Sequence, residues 1–210
     1  MNHEKLLNSV EKLKMSEIKN LVDARIKEFK ETGKKSSNEI FKELCFCILT
    51  ANFNAEKCIK IQKEIADEFL TLNESQLTKK LEYFCHRYPS ARAKYIIEAR
   101  KYKDSLKDII NSFSDENKLR EWLVKNIKGI GYKETSHFLR NIGYTNFAII
   151  DFHIIDLLAR YNLIKKPKSL TKRKYFEIEN IVKQIAKKLN LNLAELDLYL
   201  WYMETGKILK

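Results

Sequence analysis

The sequence predicts an all-α fold, and three observations support this prediction. Apolar residues recur at three- and four-residue steps along nearly the whole chain, which is the spacing of one helix face. Alternating strand patterns bounded by Asn-Gly or Asp-Gly turns are absent. The chain contains only 5 glycines and 2 prolines, and each glycine is placed between predicted helices rather than inside one.

The predicted helices follow one another with short breaks. The first is amphipathic, has one break near Lys14 to Ser16, and is followed by a break at Gly33. The second is apolar enough to be buried along its whole length. In order, we predict helices at Leu6 to Phe29, Ile40 to Ala51, Ala55 to Leu70, Glu74 to Phe84, Ala91 to Tyr102, Glu116 to Asn126, Tyr132 to Asn141, Phe152 to Tyr161, Lys172 to Leu189 and Leu193 to Glu204. Exposed loops are predicted at Asn111 to Asp115 and at Lys165 to Thr171.

Length and composition exclude several classes of protein. With 210 residues, 44% apolar and 11% aromatic, the chain can bury a sizeable core, so we expect one domain of two lobes over residues 1–210. No run approaches the roughly eighteen uncharged apolar residues of a membrane span, and the charged start does not resemble a signal peptide. The four cysteines lie in the first half without a CxxC pair, which predicts reduced thiols and no metal site.

The net charge favours a polyanionic partner. Lys and Arg number 40 against 28 Asp and Glu, which gives +12. Such a balance suits nucleic acid, although a solvated, lysine-rich surface is the plain alternative. The charge is uneven, because Arg160 to Lys188 contains ten basic and two acidic residues and so holds +8 of the total.

Residues 121–143 read as two helices joined by a glycine-containing turn, EWLVKNIKGIGYKETSHFLRNIG. A Gly-x-Gly turn before a helix can direct main-chain N–H groups and the positive end of the helix dipole at one point. We therefore predict that Gly129, Ile130 and Gly131 form an anion site for a DNA phosphate. A tight turn between two helices that binds no ligand would account for the Gly-x-Gly sequence about as well.

Two residues near this turn have the side chains of a catalytic pair. Lys133 lies two positions after Gly131, in the first turn of the second helix, where the dipole disfavours a cation and makes a neutral amine easier to hold. Asp151 follows eighteen residues later, inside FAIIDFHII, where a new helix begins. Taken singly, the lysine could be a solvated surface residue and the aspartate an N-cap, but capping and catalysis are compatible.

The order of these elements resembles the helix-hairpin-helix DNA glycosylase superfamily, which includes endonuclease III and the 8-oxoguanine DNA glycosylases. Endonuclease III has LPGVGRKTA followed by VDTH at the same spacing, where this chain has IKGIGYKET and IDFH. Within the superfamily, the segments GYKETSHFLRNIG, LTANFNAEKCIK and LWYMETGKILK look like the compact archaeal-type, or type 2, 8-oxoguanine glycosylases. The likeness extends over nearly the whole chain.

The resemblance implies a bifunctional enzyme with two helical lobes and an active site in the cleft between them. Such an enzyme excises 8-oxoguanine from double-stranded DNA and then cleaves the strand as an AP lyase. Lys133 would be the nucleophile and Asp151, in segment 147–160, its catalytic partner. A lysine nucleophile would leave a Schiff base, whose acidified C2′ proton permits β-elimination. The implied protein is a monomer of the cytoplasm, associated with the nucleoid and without a targeting signal or membrane contact.

The resemblance also implies roles for residues outside the catalytic pair. Asn52 matches a residue that fills the space left by an extruded base, and His153 matches a phosphate-contacting histidine. Trp201 and the final residue, Lys210, are candidates for contacting the flipped base. The loop from residue 88 to residue 90 corresponds to the opposite wedge, although its residues depart from those of relatives. Each has a plain structural alternative: a turn asparagine, a core histidine, a packing tryptophan and a frayed end.

Cofactors are not expected. Endonuclease III and the adenine-specific relatives carry four cysteines after the aspartate for an iron–sulfur cluster, whereas this chain has none beyond Cys85. Two alternatives stay open: a glycosylase/AP lyase for another oxidised base, as in endonuclease III, and a non-catalytic hairpin module that binds DNA. The pairing of Lys133 with Asp151 argues against the second, because a binding module needs neither. The group that would read the N7 hydrogen of 8-oxoguanine is not identified.

Overall fold

Helices account for the regular structure of the chain. The computed structural model describes the main chain of residues 2–210, and over that range it contains helices and no strand, which confirms the all-α prediction. No helix in this range is long and apolar enough to cross a membrane. The α-helices are α1 (Asn2–Lys14), α2 (Ile18–Lys34), α3 (Ser37–Thr50), α4 (Ala55–Ile65), α5 (Glu74–Tyr83), α6 (Pro89–Ala99), α7 (Leu106–Asn111), α8 (Glu116–Asn126), α9 (Tyr132–Asn141), α10 (Phe152–Arg160), α11 (Lys172–Lys188) and α12 (Leu193–Thr205).

Most predicted helices are confirmed, and the differences have local causes. The first predicted helix is divided near residues 15–17, as expected, but Gly33 lies inside α2, one residue before its end. The predicted helix over residues 55–70 is α4 followed by a 3₁₀ segment (Ala66–Leu70), and the two meet at Ala66, whose φ of 44° interrupts a regular helix. Helix α7 was not predicted, because six residues are too few for a helical period to emerge.

The chain divides into two compact units. The continuous unit is Thr32–Phe138, and the split unit combines the residues up to Glu31 with Leu139–Lys210. In the continuous unit, α3 is the central helix and packs on α4, α6 and α7, and its residues from Ile40 to Thr50 are nearly all buried. A helix buried on every side must be apolar all round, which is the property that predicted it.

The split unit is organised around α12. This helix packs on α1, α10 and α11, and its residues from Leu193 to Leu200 are mostly buried. A capping box starts it, in which Asn192 accepts from Glu195 N–H and Glu195 accepts from Asn192 N–H. Gly206 ends it in the left-handed conformation.

Candidate active site

The predicted hairpin is present, and its turn lies in the continuous unit. Helix α8 ends at Asn126, a short turn follows, and α9 begins at Tyr132. Gly129 has a φ of +89°, and a Cβ built there would lie 2.2 Å from Cδ2 of Tyr95. A side chain is therefore excluded at Gly129 both by the backbone conformation and by the aromatic ring packed against it.

The other two residues of the turn differ from Gly129. Gly131 does not have a positive φ, and a Cβ there would meet only Oε2 of Glu134, at 3.5 Å. The fold of the protein itself therefore does not require glycine at this position. Ile130 is 6% exposed, so its side chain belongs to the core of the unit and only its main chain is suited to contact DNA.

A carboxylate of the chain itself occupies the predicted anion site. Gly131 N–H donates to Oε2 of Glu134 at 3.1 Å, while Oε1 of Glu134 lies 3.0 Å from Nζ of Lys133. Burial works to raise the pKa of Glu134, but the charge and hydrogen bond of Lys133 and the N–H groups of Glu134 and Gly131 outweigh it and lower this pKa. Sequence reasoning missed Glu134. Its place three residues after the glycine that precedes α9 is the spacing of a capping box and could have identified it.

Lys133 lies in a partly buried environment, with 24% of its side chain exposed. The thiol of Cys58, on α4, is close enough to interact with it electrostatically. Burial raises the pKa of Cys58 to about 12, although Lys133 and Arg92 act to lower it. The Cys58 thiol is therefore protonated at neutral pH and is not an anionic partner of Lys133.

Asp151 is the N-cap of α10 in the split unit. Its Oδ1 accepts from Ile154 N–H at 2.9 Å, as the N-cap interpretation predicted. The preceding segment, Phe147 to Ile150, is buried and has no regular secondary structure. Two side chains of α11 satisfy its main chain: Tyr175 donates its hydroxyl to Ala148 O at 2.7 Å, and Glu179 accepts from Ala148 N–H at 3.2 Å. Sequence reasoning identified neither of these supporting residues.

A second carboxylate lies near Asp151. Burial raises the pKa of Asp197, on α12, to about 6; the ion pair with Arg140 opposes this rise, and the negative charge of Asp151 adds to it. Arg140 donates Nη1 to Asp197 and donates Nε and Nη2 to Oδ1 of Asn141. The split unit therefore holds a buried cation that is bonded to one carboxylate, Asp197, and to the amide oxygen of Asn141.

His153 and Trp201 contact one another in the split unit. Their ring centroids are 4.8 Å apart in an edge-to-face arrangement, and Phe152 lies 3.9 Å from the other side of the histidine ring. Phe152 is 66% exposed, so this cluster reaches the surface. The buried Nε1 of Trp201 has no hydrogen-bond partner within the described part of the chain. Lys210 is half-buried at the end of the irregular tail that follows α12.

Asn52 is exposed in the turn between α3 and α4, with a φ of 57°. Asparagine is one of the residues that tolerate this conformation, so the interpretation as a turn residue is supported by the backbone. Two buried side chains hold the turn: Arg92 donates to Ala51 O at 2.6 Å, and Nε2 of His86 lies 3.0 Å from Leu49 O. His86 also accepts from Tyr88 N–H at 3.1 Å, in the loop that the resemblance relates to the wedge. Sequence reasoning missed Arg92 and His86.

The predicted residues therefore fall into two groups. Gly129, Ile130, Gly131 and Lys133 share the hairpin of the continuous unit, and Asn52 lies in another turn of the same unit. Asp151, His153, Trp201 and Lys210 belong to the split unit. Within residues 2–210, no group of three or more His, Cys, Asp or Glu side chains is arranged to hold a metal ion.

Comparisons with known proteins find relatives that match nearly the whole chain. A family model described as 8-oxoguanine DNA glycosylase matches residues 22–191. The chain is 57% identical to the 8-oxoguanine DNA glycosylase/AP lyase of Methanocaldococcus jannaschii over 98% of its own length and 99% of that protein's. It is 52% identical to the protein of that name from Korarchaeum cryptofilum, over the whole of both chains.

A solved structure matches as closely. The crystal structure of the M. jannaschii 8-oxoguanine glycosylase/lyase in complex with a 15-mer DNA containing 8-oxoguanine superposes with a TM-score of 0.96. The two chains are 56% identical, and the match covers 98% of this chain and 100% of the other.

Proposed function

The chain belongs to the 8-oxoguanine DNA glycosylase family, and from this membership we propose that it excises 8-oxoguanine from double-stranded DNA and then cleaves the strand as an AP lyase. The observation that carries the proposal is the extent of the likeness, since more than half of the residues are identical to one such enzyme over essentially the whole chain. The position of Lys133 at the start of α9 and of Asp151 at the start of α10 supports it.

Lys133 is the nucleophile in the proposed reaction. The lone pair of its neutral amine forms a bond to C1′ of the damaged nucleotide, and the glycosidic bond breaks with its electron pair leaving on the base. Opening of the sugar ring then gives a Schiff base between Nζ and C1′. Loss of the C2′ proton expels the 3′ phosphate oxygen, which cleaves the strand, and hydrolysis of the Schiff base restores the lysine.

Asp151 supports the departure of the base. Its negative charge either stabilises the oxocarbenium-like sugar or accepts the proton that Lys133 must lose. The hydrogen bond from Ile154 N–H fixes the carboxylate at the end of a buried segment, so it is held in one position. Preorganisation of this kind is what electrostatic stabilisation of a transition state requires.

Contacts with the DNA backbone come from the hairpin and from basic surfaces. In the proposal, the main chain of the turn from Gly129 to Gly131 binds a phosphate, and His153 contacts another. The basic stretch from Arg160 to Lys188 adds contacts that do not depend on base sequence and that weaken with salt. Carboxylates outside this stretch already pair with two of its cations, Lys166 with Asp156 and Arg160 with Glu204, so the effective charge is smaller than the sequence count.

Three further side chains are assigned to the extruded base. In the proposal, Asn52 fills the space that the base leaves. Hydrogen bonds from Arg92 and His86 hold its exposed turn, so the side chain is presented from a fixed backbone. Trp201 stacks on the base, and Lys210 contacts it. Since the enzyme acts on double-stranded DNA, we place it wherever the chromosome lies, in association with the nucleoid.

Covalent trapping tests the nucleophile. Duplex DNA with 8-oxoguanine opposite cytosine is mixed with the protein and reduced with borohydride, and we expect a covalent adduct. Lys133→Gln should abolish the adduct while leaving DNA binding nearly intact. Lys128→Gln, which removes a cation from the same hairpin, is the matched control and should still be trapped. An adduct that survives Lys133→Gln would place the nucleophile elsewhere.

Replacement of Asp151 tests its role separately. Asparagine can still accept from Ile154 N–H, so Asp151→Asn should fold normally. We expect single-turnover base excision to slow by about 10² to 10⁴, the range for loss of a group that transfers a proton or stabilises charge. Retention of the full excision rate would refute the assignment. Excision rates measured across oxidised purines and pyrimidines would establish whether 8-oxoguanine is the preferred base.

A further inference from the structure

Glu134 occupies the site that the proposed function assigns to a DNA phosphate. We propose that Glu134 is a positioning residue that holds both the hairpin donor, Gly131 N–H, and the nucleophile, Lys133, in the free protein, and releases both when a phosphate of the DNA takes its place. The proposal rests on the proposed function, because it concerns the same lysine and the same hairpin.

The carboxylate of Glu134 makes two contacts at the hairpin. Oε2 of Glu134 accepts from Gly131 N–H at 3.1 Å, and Oε1 lies 3.0 Å from Nζ of Lys133. The carboxylate is also the neighbour that lies over the bare face of Gly131, where a Cβ would meet it at 3.5 Å. The place where a phosphate would approach the turn most closely is therefore filled by a group of the same charge and similar hydrogen-bonding capacity.

Both halves of this contact oppose the proposed reaction. The carboxylate 3.0 Å from Nζ of Lys133 engages the amine that must be free to reach C1′ of the nucleotide. A carboxylate on Gly131 N–H repels an incoming phosphate and uses the donor that the phosphate needs. Because Glu134 is ionised in this arrangement, as its lowered pKa indicates, both effects operate at neutral pH.

Displacement of Glu134 by DNA removes both obstacles in a single movement. The phosphate gains the main-chain donor and the positive end of the α9 dipole, which are the features that held the carboxylate. Lys133 loses its ion-pair partner at the moment when the sugar is brought to it. The energy of phosphate binding is thus coupled to the release of the nucleophile, and a lysine without bound DNA stays paired.

Glu134→Gln tests this coupling, because glutamine keeps an acceptor for Gly131 N–H and loses only the charge. The probe is a duplex with a tetrahydrofuran abasic analogue, which cannot form a Schiff base. We expect about five- to tenfold tighter binding than wild type, since a like charge has left the phosphate site. With 8-oxoguanine duplex, KM should fall while the single-turnover trapping rate at saturating DNA is unchanged. Glu134→Asp, which restores the charge, should return the affinity towards wild type.

Glu195→Gln is the matched control. Glu195 also accepts the main-chain N–H that lies three residues before it, Asn192 N–H at 2.9 Å, but it begins α12 and has no part in the hairpin. Its replacement removes the same charge from the same kind of helix cap, so it should leave the affinity for the abasic analogue unchanged.

Two results would overturn the proposal. If Glu134→Gln binds the analogue no more tightly than wild type, the carboxylate stays on Gly131 in the complex and serves only as a helix cap. If its trapping rate falls at saturating DNA, Glu134 takes part in the chemistry rather than restraining it. Failure of the proposed function is recognised separately, because wild-type protein would then form no adduct with 8-oxoguanine duplex at all.

Discussion

The guanidinium of Arg140 and the carboxylate of Asp197 form an ion pair in the interior of the split unit, with 5% and 8% of their side chains exposed. The guanidinium also donates to Oδ1 of Asn141 and lies 4.9 Å from the ring of Phe29. Its donors are thus directed at named acceptors, which is the condition under which a buried charge is tolerated. The pair joins the end of α9 to α12.

We expect that removal of either partner alone destabilises the protein. Arg140→Met or Asp197→Leu leaves one charge buried without its counter-ion and should lower the free energy of unfolding by about 3–5 kcal/mol. The double variant, which leaves no charge, should lose much less than the sum of the two. Urea unfolding of the four proteins measures this, and strict additivity would show that the two side chains do not depend on one another.

The carboxyl group of Asp197 should titrate near pH 6. Burial raises its pKa from 3.8 to about 6, Arg140 acts against the rise, and Asp151 adds to it. The folded protein therefore binds more protons than the unfolded chain between these two values, so ionisation of Asp197 lowers stability as the pH rises from 3.8 to about 6, and the ion pair with Arg140 offsets only part of that loss. Carbon-13 NMR of the side-chain carboxyl gives the midpoint directly.

The same titration tests the proximity of Asp151. Asp151→Asn removes a like charge, so the midpoint of Asp197 should move to lower pH. Asp156→Asn is a suitable comparison, because it removes a charge from the exposed side of α10, where Asp156 pairs with Lys166. Equal shifts in the two variants would contradict a specific interaction between Asp151 and Asp197.

The two hairpin glycines should respond oppositely to alanine. Gly129→Ala meets Tyr95 at 2.2 Å and requires a positive φ, so we expect a loss of about 2–4 kcal/mol in stability. Gly131→Ala meets only the end of a flexible glutamate and should cost no more than about 1 kcal/mol. Its binding to DNA should nevertheless weaken, because a methyl group would stand between the main chain and a phosphate. Thermal unfolding and a binding titration separate these outcomes.

His86 should stabilise the protein in a pH-dependent manner. Because Nδ1 accepts from Tyr88 N–H, Nε2 carries the proton and donates to Leu49 O. Burial lowers the pKa of His86 from 6.5; the hydrogen bond to Leu49 opposes this, and Arg92 adds to it. The folded pKa is the lower one, so the contribution to stability is present above pH 6.5 and is lost as the pH falls.

His86→Leu should therefore cost about 1–3 kcal/mol at neutral pH, since Leu49 O and Tyr88 N–H lose their partner. The difference from wild type should shrink at about pH 5, where a charged imidazole no longer accepts from Tyr88. Urea unfolding at both pH values is the measurement, and a difference that is independent of pH would contradict the assigned hydrogen bonds.

Sequence reasoning identified the features that depend on residues close together in the chain. The hairpin, the helix that contains Lys133 in its first turn and the N-cap at Asp151 each depend on residues within a few positions of one another. The apolar run from Ile40 to Ala51 likewise predicted a buried helix, which is α3. Such features need no knowledge of which distant segments pack together.

The features that it missed depend on contacts between distant segments. Arg140 and Asp197 are 57 residues apart, and His86 reaches the carbonyl of a residue 37 positions before it. Nothing near these residues in the chain indicates their partners. Glu134 is the exception, because its capping-box spacing is local and was overlooked in favour of the neighbouring lysine.

The division of the chain into a continuous and a split unit has a consequence for the order of folding. Thr32–Phe138 is an uninterrupted segment of 107 residues, and it separates the two segments of the split unit. Closing so long a loop before its interior is ordered is entropically unfavourable. We therefore expect the continuous unit, which carries Lys133, to become protected from hydrogen exchange first, and the surroundings of Asp151 to form later.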